Sequence, residues 1–473
     1  MTTRTTIACS LVLALALVPM ATFGQNVDTG SADFSKYVAL GDSLTAGFAS
    51  GGLVETYQRV SYPALINERV KGPDTPFQQP LVSEPGIPPL LRLQSLAPLV
   101  IAPQQGQGNP LNLNLPRPYD NLAVPGARVG DVLEVRTDGL FKLVLRPQAL
   151  PFSMLEQGLA LNPTFVTLWI GSNDVLGAAT SGIVIDGVTL TPRAAFAQDL
   201  QTVAGAIAQS GAGMAIATIA DVTTIPFVNT IPPVVVDPAT NQPVLVDGQP
   251  VPLIGPAGPL TADDKVLLSA SQALAQGIGI PAALGGTGQP LDDTHVLNAA
   301  EISAVQARTR ALNQVIRDVA QQTDAALVDV AAVFDLVARE GIEVGGIEYN
   351  TEFLTGGVFS YDGVHATQFG YAFVANLFIE AINEKFGATI PLVDLSDFVF
   401  GSDRQVPEGF TAAEAAQAMY TPEAHQQLWE VLRIPPKERL LELKRRRGER
   451  PEGPDLQGPD GRSPAPRQIG SIR

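Results

Sequence analysis

A three-layer α/β fold with a mainly parallel sheet is what this chain predicts, and two observations carry the prediction. Its β-prone runs are short and continuously apolar, as strands buried on both faces must be. They alternate with longer stretches of helical periodicity, which places helices against the two faces of the sheet. With 45% hydrophobic and 16% charged residues, the 473-residue chain has ample material for such a core and is not a disordered polymer. Gly 44 and Pro 39 together exceed ordinary usage, so long loops and insertions are expected between the elements.

The elements follow in chain order. Arg4, the apolar run Ile7–Val18 and the small residues Thr22 and Gly24 read as a secretory signal over residues 1–24. The run is shorter than the ~20 residues a bilayer span requires. Export to the periplasm, the outer surface or the medium is therefore expected, with no transmembrane segment after signal removal. Cys9 is the only cysteine and leaves with the signal, so neither disulfides nor thiol chemistry are expected in the mature chain. Tyr37–Leu40 forms the first strand, Phe165–Ile170 the second, Met214–Ala220 the third and Ala325–Val328 the fourth. Helices are expected over Pro192–Gln209, Asn298–Gln322 and Ala366–Phe386. In the last, Phe369, Phe373, Leu377 and Ile382 recur at helical spacing.

Two stretches break this rhythm. Residues 80–115 are rich in Pro, Leu and Gln; residues 224–258 read as loops with a hairpin among them. Insertions of that length in a compact domain are often lids or binding walls. The apolar run Pro88–Pro103 is either core packing or an acyl-binding wall. Beyond the main domain, residues 25–395, the pattern changes to a helical extension over 396–447. Short helices are expected there at Thr411–Met419 and Pro422–Arg433, with a basic stretch Lys444–Arg447 near its end. Residues 448–473, rich in Gly and Pro, read as a disordered tail. The net charge of −17 argues against nucleic acid as a partner, because a phosphate backbone demands a basic surface.

The chemistry gathers at strand ends. Gly41-Asp42-Ser43-Leu44 comes directly after the first strand, so Ser43 opens a helix at the carboxyl end of a parallel strand, where ligands of open α/β sheets bind. A helix N-terminus there offers free N–H groups to a developing oxyanion. A serine nucleophile needs a base. Of the three histidines, His295, His365 and His425, His365 sits in Asp362-Gly363-Val364-His365. There the aspartate can fold back and fix the imidazole tautomer. Gly171-Ser172-Asn173-Asp174 comes after the strand FVTLWI, and Asn173 can aim its amide at an oxyanion. Asn121–Gly126 (NLAVPG) leads to a helix starting near Arg128, and Gly126 can present a backbone N–H in a conformation open to glycine. Other readings of these residues are structural: Ser43 or Asp362 as helix caps, Asn173 as a turn residue, Asp174 as a cap. His295 with Asp292 and Asp293 is a weak metal-ligand pattern.

Taken together, the four segments resemble those of the SGNH (GDSL) hydrolases over roughly Tyr37–Pro391. The resemblance implies a flavodoxin-like α/β/α fold and ester hydrolysis through an acyl-enzyme, with no metal and no organic cofactor. It assigns Ser43 as nucleophile, His365 as general base and then acid, and Asp362 as its orienter. The Ser43 N–H, the Gly126 N–H and the Asn173 side chain would form the oxyanion hole. Ala366 stands where the family's DGVHPT motif has proline, which touches the helix start more than the chemistry. No G-x-S-x-G elbow is present. The expected substrate is a small-molecule or lipid ester. Two alternatives are a carbohydrate O-acetylesterase, weakened by the 6% aromatic content, and an exported binding protein without activity.

Overall fold

The computed structural model describes residues 27–96, 98–398 and 410–448. The secretory signal and residues 449–473 of the tail lie outside the described residues.

Four parallel strands form the central sheet: β1 (Tyr37–Gly41), β4 (Phe165–Trp169), β5 (Gly213–Ala217) and β6 (Ala326–Val328), in that spatial order. Tyr37 pairs with Phe165, Phe165 with Gly213 and Ala326 with Ala215. Asp120–Val124 runs beside β1 and is bridged to it in parallel between Asn121 and Ala39; the Ala39 N–H donates to the Asp120 carbonyl at 2.8 Å and the Leu122 N–H to the Ala39 carbonyl at 3.0 Å. Alternation along each strand divides the core. Val38, Leu40, Val166, Leu168, Met214 and Ile216 face one apolar cluster. Tyr37, Phe165, Trp169, Ala215, Ala217 and Val328 face the other. Both faces are buried, which is why the strands read as continuous apolar runs.

Helices cover each face. On the first lie α3 (Asn173–Ser181), α4 (Arg193–Gln209) and α5 (Ala299–Gln322), which presents Val305, Leu312 and Ile316 inward. On the second lie α2 (Tyr62–Lys71) and α7 (Gln368–Phe386), packed through Tyr62, Phe378 and Ile382. Between α5 and α7 in the chain, α6 (Val330–Glu340) leaves the end of β6 with Asp329 as its cap. The expected three-layer α/β/α architecture is present. Helix ends obey cap chemistry. Asn298 accepts from the Ala300 and Glu301 N–H groups while Glu301 reaches back, a capping box that starts α5 one residue after the expected position. Thr367 caps α7, which begins at Gln368 rather than Ala366.

The two insertions take their own forms. Within residues 80–115, β2 (Leu91–Leu96) and β3 (Leu99–Pro103) pair as an antiparallel hairpin. Leu91, Leu99 and Ile101 join the core, whereas Leu96 is 55% exposed. Residues 224–258 contain two small hairpins, Val236–Asp237 with Gln242–Pro243 and Leu245–Val246 with Gln249–Pro250.

The C-terminal arm departs from expectation at its start. The helix expected over Thr411–Met419 covers only Ala412–Ala415. Met419 instead pairs with Val100 as part of β7 (Met419–Tyr420), because the open edge of β3 offers backbone partners there. Two helices come next, α8 (Pro422–Val431) and α9 (Lys437–Gly448), the latter closing on a residue assigned from sequence to the tail. Ala418, Tyr420, Leu428 and Leu432 are buried in the main core, so the arm is packed onto the domain. Among the described residues, no helix is long and apolar enough to cross a membrane.

Candidate active site

Ser43 is the first residue of α1 (Ser43–Ala46), a short helix entered directly from β1. The turn is tight: a Cβ on Gly41 would lie 2.2 Å from the Thr45 Oγ1 and 2.4 Å from the Trp169 carbonyl, so only glycine fits. Asp42, not Ser43, is the side-chain cap of this helix; its Oδ1 accepts the Leu44 N–H at 3.0 Å. The Asp42 Oδ2 is buried and has no hydrogen-bond partner. Burial pushes this carboxyl up to about 7, against the pull of the Leu44 N–H and of nearby His365.

The second and third blocks meet beside this turn. The Val124 N–H donates to the Gly41 carbonyl at 3.1 Å, which fixes the loop leading to Gly126 against the end of β1. Gly126 has φ +80, and a Cβ there would lie 1.9 Å from the Val431 carbonyl of the C-terminal arm. Beyond Gly126 the chain forms a 3-10 turn, Val129–Leu133, at the place expected for a helix. Asn173 opens α3 after β4, and its Nδ2 donates to the Ala127 carbonyl at 2.9 Å. That bond draws the Gly126 and Asn173 blocks together and leaves the amide a second N–H. Asp174 is not a cap: its Oδ2 accepts the Val129 N–H at 3.1 Å, tying α3 to the 3-10 turn. Its own carboxyl is pushed up to about 7 by burial, against the Thr191 and Val129 hydrogen bonds.

Asp362 and His365 form a closed turn. The Asp362 Oδ1 accepts the Val364 and His365 backbone N–H groups at 2.9 and 2.8 Å. Its Oδ2 faces the His365 Nδ1 at 2.8 Å. Asp362 therefore does not cap α7, which Thr367 does. Burial alone would raise the Asp362 carboxyl; the His365 charge and hydrogen bonds outweigh it and hold the carboxyl below its ordinary value. With Nδ1 engaged, the His365 Nε2 is the nitrogen left over; it is buried and makes no hydrogen bond, to Ser43 or to any other group. Phe48 packs on the imidazole with ring centroids 4.8 Å apart. Ser43, Asn173 and His365 are 3%, 3% and 1% exposed, so all three residues are almost wholly buried.

Two supports of this carboxylate were not singled out from the sequence. The Gly51 N–H donates to the Asp362 Oδ2 at 2.8 Å, and the Ser360 hydroxyl donates to Oδ1 at 3.3 Å. Gly51 and Asp362 are 311 residues apart, and no local pattern reports such a contact.

The other two histidines meet away from this centre. Their rings lie 6.5 Å apart, and the Ser269 hydroxyl is 3.1 Å from the His295 Nδ1. The carboxylates beside His295 serve lysines: Asp292 pairs with Lys437 at 3.2 Å and Asp293 with Lys444 at 2.7 Å. Among the described residues, no group of three or more His, Cys, Asp or Glu side chains is placed to hold a metal.

A family model described as GDSL-like Lipase/Acylhydrolase matches residues 37–378. No curated protein matches the chain. Similar solved structures include LAE5, an alpha/beta hydrolase enzyme from the metagenome of Lake Arreo, Spain. It is 16% identical over 74% of this chain and 96% of that one, with a TM-score of 0.34. The acetylxylan esterase Axe2 from Geobacillus stearothermophilus is 13% identical over 75% and 96% of the two chains, with a TM-score of 0.33. TesA is 12% identical over 74% and 98%, with a TM-score of 0.31.

Proposed function

The chain belongs to the GDSL-like lipase/acylhydrolase family, and we propose that it is an exported serine carboxylic ester hydrolase that works through an acyl-enzyme on Ser43. One observation carries the reading: the Asp362 Oδ2 engages the His365 Nδ1 at 2.8 Å, which leaves Nε2 as the proton acceptor. The Ser43 Oγ attacks the ester carbonyl carbon while Nε2 takes its proton. The resulting oxyanion is held by the Ser43 N–H, the Gly126 N–H and the Asn173 amide. Collapse breaks the bond to the alcohol, which leaves with the proton from Nε2. Water then attacks the acyl-enzyme with His365 again as base, releasing the acid and restoring Ser43. Apart from that water, every group this cycle uses is a protein side chain or backbone amide.

Export rests on the signal over residues 1–24, and N-terminal sequencing of protein recovered from outside the cytoplasm, expected to begin at Gln25, checks it. The enzymatic reading is tested with a fluorophosphonate probe and chromogenic esters, using Ser43→Ala as the blank. Labelling of Ser43, found by mass spectrometry, together with hydrolysis above the blank, is the expected result. A folded protein that neither labels nor hydrolyses would be a binding protein on this scaffold. Activity confined to acetylated glycans would give the carbohydrate O-acetylesterase reading.

A further inference from the structure

The C-terminal arm reaches the reacting centre itself. The carbonyl of Val431 lies where a side chain on Gly126 would have to stand, 1.9 Å from that Cβ position. Its side chain is buried in an apolar cluster with Ala46, Phe48, Leu53, Val82 and Ala123. Three of those residues neighbour the catalytic groups. Ala46 is three residues beyond Ser43 on α1 and so on the same face of that helix. Ala123 precedes Gly126 by three residues, and Phe48 meets the His365 ring at a tilt of 59°.

The position of Val431 is fixed on both sides. Four residues before it, the Gln427 Nε2 donates to the Gly51 and Pro89 carbonyls at 2.8 and 2.7 Å. Two residues after it, Arg433 makes a two-pronged pair with Asp131 at 2.8 and 3.2 Å. The arm is a wall rather than a lid, on grounds of burial. Tyr420, Leu428, Leu432 and Ile434 are all buried, and lifting the arm would expose each of them to water. Departure of the whole arm in each turnover is too expensive.

We infer that Val431 is a specificity-determining residue: its side chain fills apolar space beside α1 and restricts the ester's acyl group to a few carbons. The inference rests on Ser43 being the nucleophile, as proposed above. An acyl chain on Ser43 must find apolar space next to α1, and Val431 shares the apolar cluster there with Ala46 and Ala123. Short-chain esters are then the substrate class, and removing the two methyl groups of Val431 opens space of about their size.

The test is a kcat/KM series on p-nitrophenyl esters from acetyl to octanoyl, for wild type, Val431→Ala and Val431→Leu. The wild type is expected to prefer acetyl. Val431→Ala should raise the hexanoyl-to-acetyl ratio by at least about tenfold, the scale of one or two methylenes in an apolar pocket. Val431→Leu should move the ratio the other way. Ratios unchanged within about twofold in folded variants would overturn the inference, as would movement of both variants in one direction. A wild type that already peaks at octanoyl overturns it without any variant, should the variants fail to fold. A change confined to a parallel series of acetate esters with longer alcohols also overturns it, since Val431 would then bound the alcohol. Absence of Ser43 labelling in the wild type is a separate outcome and strikes the reading of the site instead.

Discussion

Asp362 accepts from His365 twice, taking the backbone N–H on Oδ1 at 2.8 Å and facing the ring Nδ1 with Oδ2 at 2.8 Å. The side chain thereby fixes both the imidazole's position and its tautomer. Asp362→Asn disturbs both. An amide that keeps its oxygen toward the backbone donors turns its NH2 toward Nδ1 and toward the Gly51 N–H. The proton of a neutral imidazole then moves to Nε2, the nitrogen that must accept from Ser43. We expect kcat to fall by ~10⁴, as for other triads with this exchange, and stability to fall by ~1–3 kcal/mol from the mismatched donors. Steady-state kinetics and urea unfolding check both; a kcat within tenfold of wild type would remove Asp362 from its role.

Asn173 donates one amide hydrogen to the Ala127 carbonyl and keeps one for the reaction. Asn173→Ala should lower kcat by ~10² or more with little change in KM, because the bond is needed most when the carbonyl oxygen is negative. The lost bond to Ala127 should cost only ~1 kcal/mol of stability. Phosphonylation of Ser43 should slow in parallel, since that adduct carries a similar charge. An effect below threefold on both rates places Asn173 outside the oxyanion site.

These groups were legible because each sits in a short local pattern. Ser43 and Asn173 come at once after apolar strands, and the Asp362–His365 turn closes within four residues. The sheet was legible because Phe165–Trp169 is buried on both faces and so reads as an unbroken apolar run. What the pattern could not report is long-range closure. Gln427 meets Gly51 across 376 residues, and Arg433 meets Asp131 across 302. The β2–β3 hairpin was hidden because its strands are flanked by prolines and mix polar with apolar residues. Met419 was misplaced in a helix because its partner, the edge of β3, is tertiary.

The Asp42 carboxyl, beside the reacting serine, is held up to about 7 by burial against an ordinary 3.8. The unfolded chain releases that proton near 3.8 and the folded chain only near 7. Folding therefore loses stability as pH rises through this window, and above it the loss is complete and no longer changes with pH. Asparagine has no proton to lose and still caps Leu44. Relative to wild type, Asp42→Asn should gain stability from pH 4 to pH 7, by at most ~1.4 kcal/mol per pH unit. Urea titrations at pH 5 and pH 8 measure the difference; an offset identical at the two values would mean the wild-type carboxyl is already ionised at pH 5.

The opposite slope is expected where the arm meets the turn that carries His295. His425 of α8 faces the His295 ring at 6.5 Å, with Lys437 nearby paired to Asp292, and its Nε2 is buried without a partner. Burial, then the His295 and Lys437 charges, lower His425 to about 4 from an ordinary 6.5. In the unfolded chain this histidine binds a proton near 6.5, whereas in the folded one it stays neutral until about 4. Stability from its neutral form is complete above 6.5 and is lost as pH falls from 6.5 to 4. His425→Phe removes the titration and keeps a ring against Trp429, which His425 meets edge-on at 5.1 Å. The variant should match wild type closely at pH 8 and exceed it increasingly toward pH 4.5, again by no more than ~1.4 kcal/mol per pH unit. Hydrogen exchange over residues 410–434, corrected for the intrinsic rate at each pH, should quicken in wild type between pH 7 and pH 5. The variant should not show this change. Equal acid sensitivity in both proteins would show that His425 is not its source.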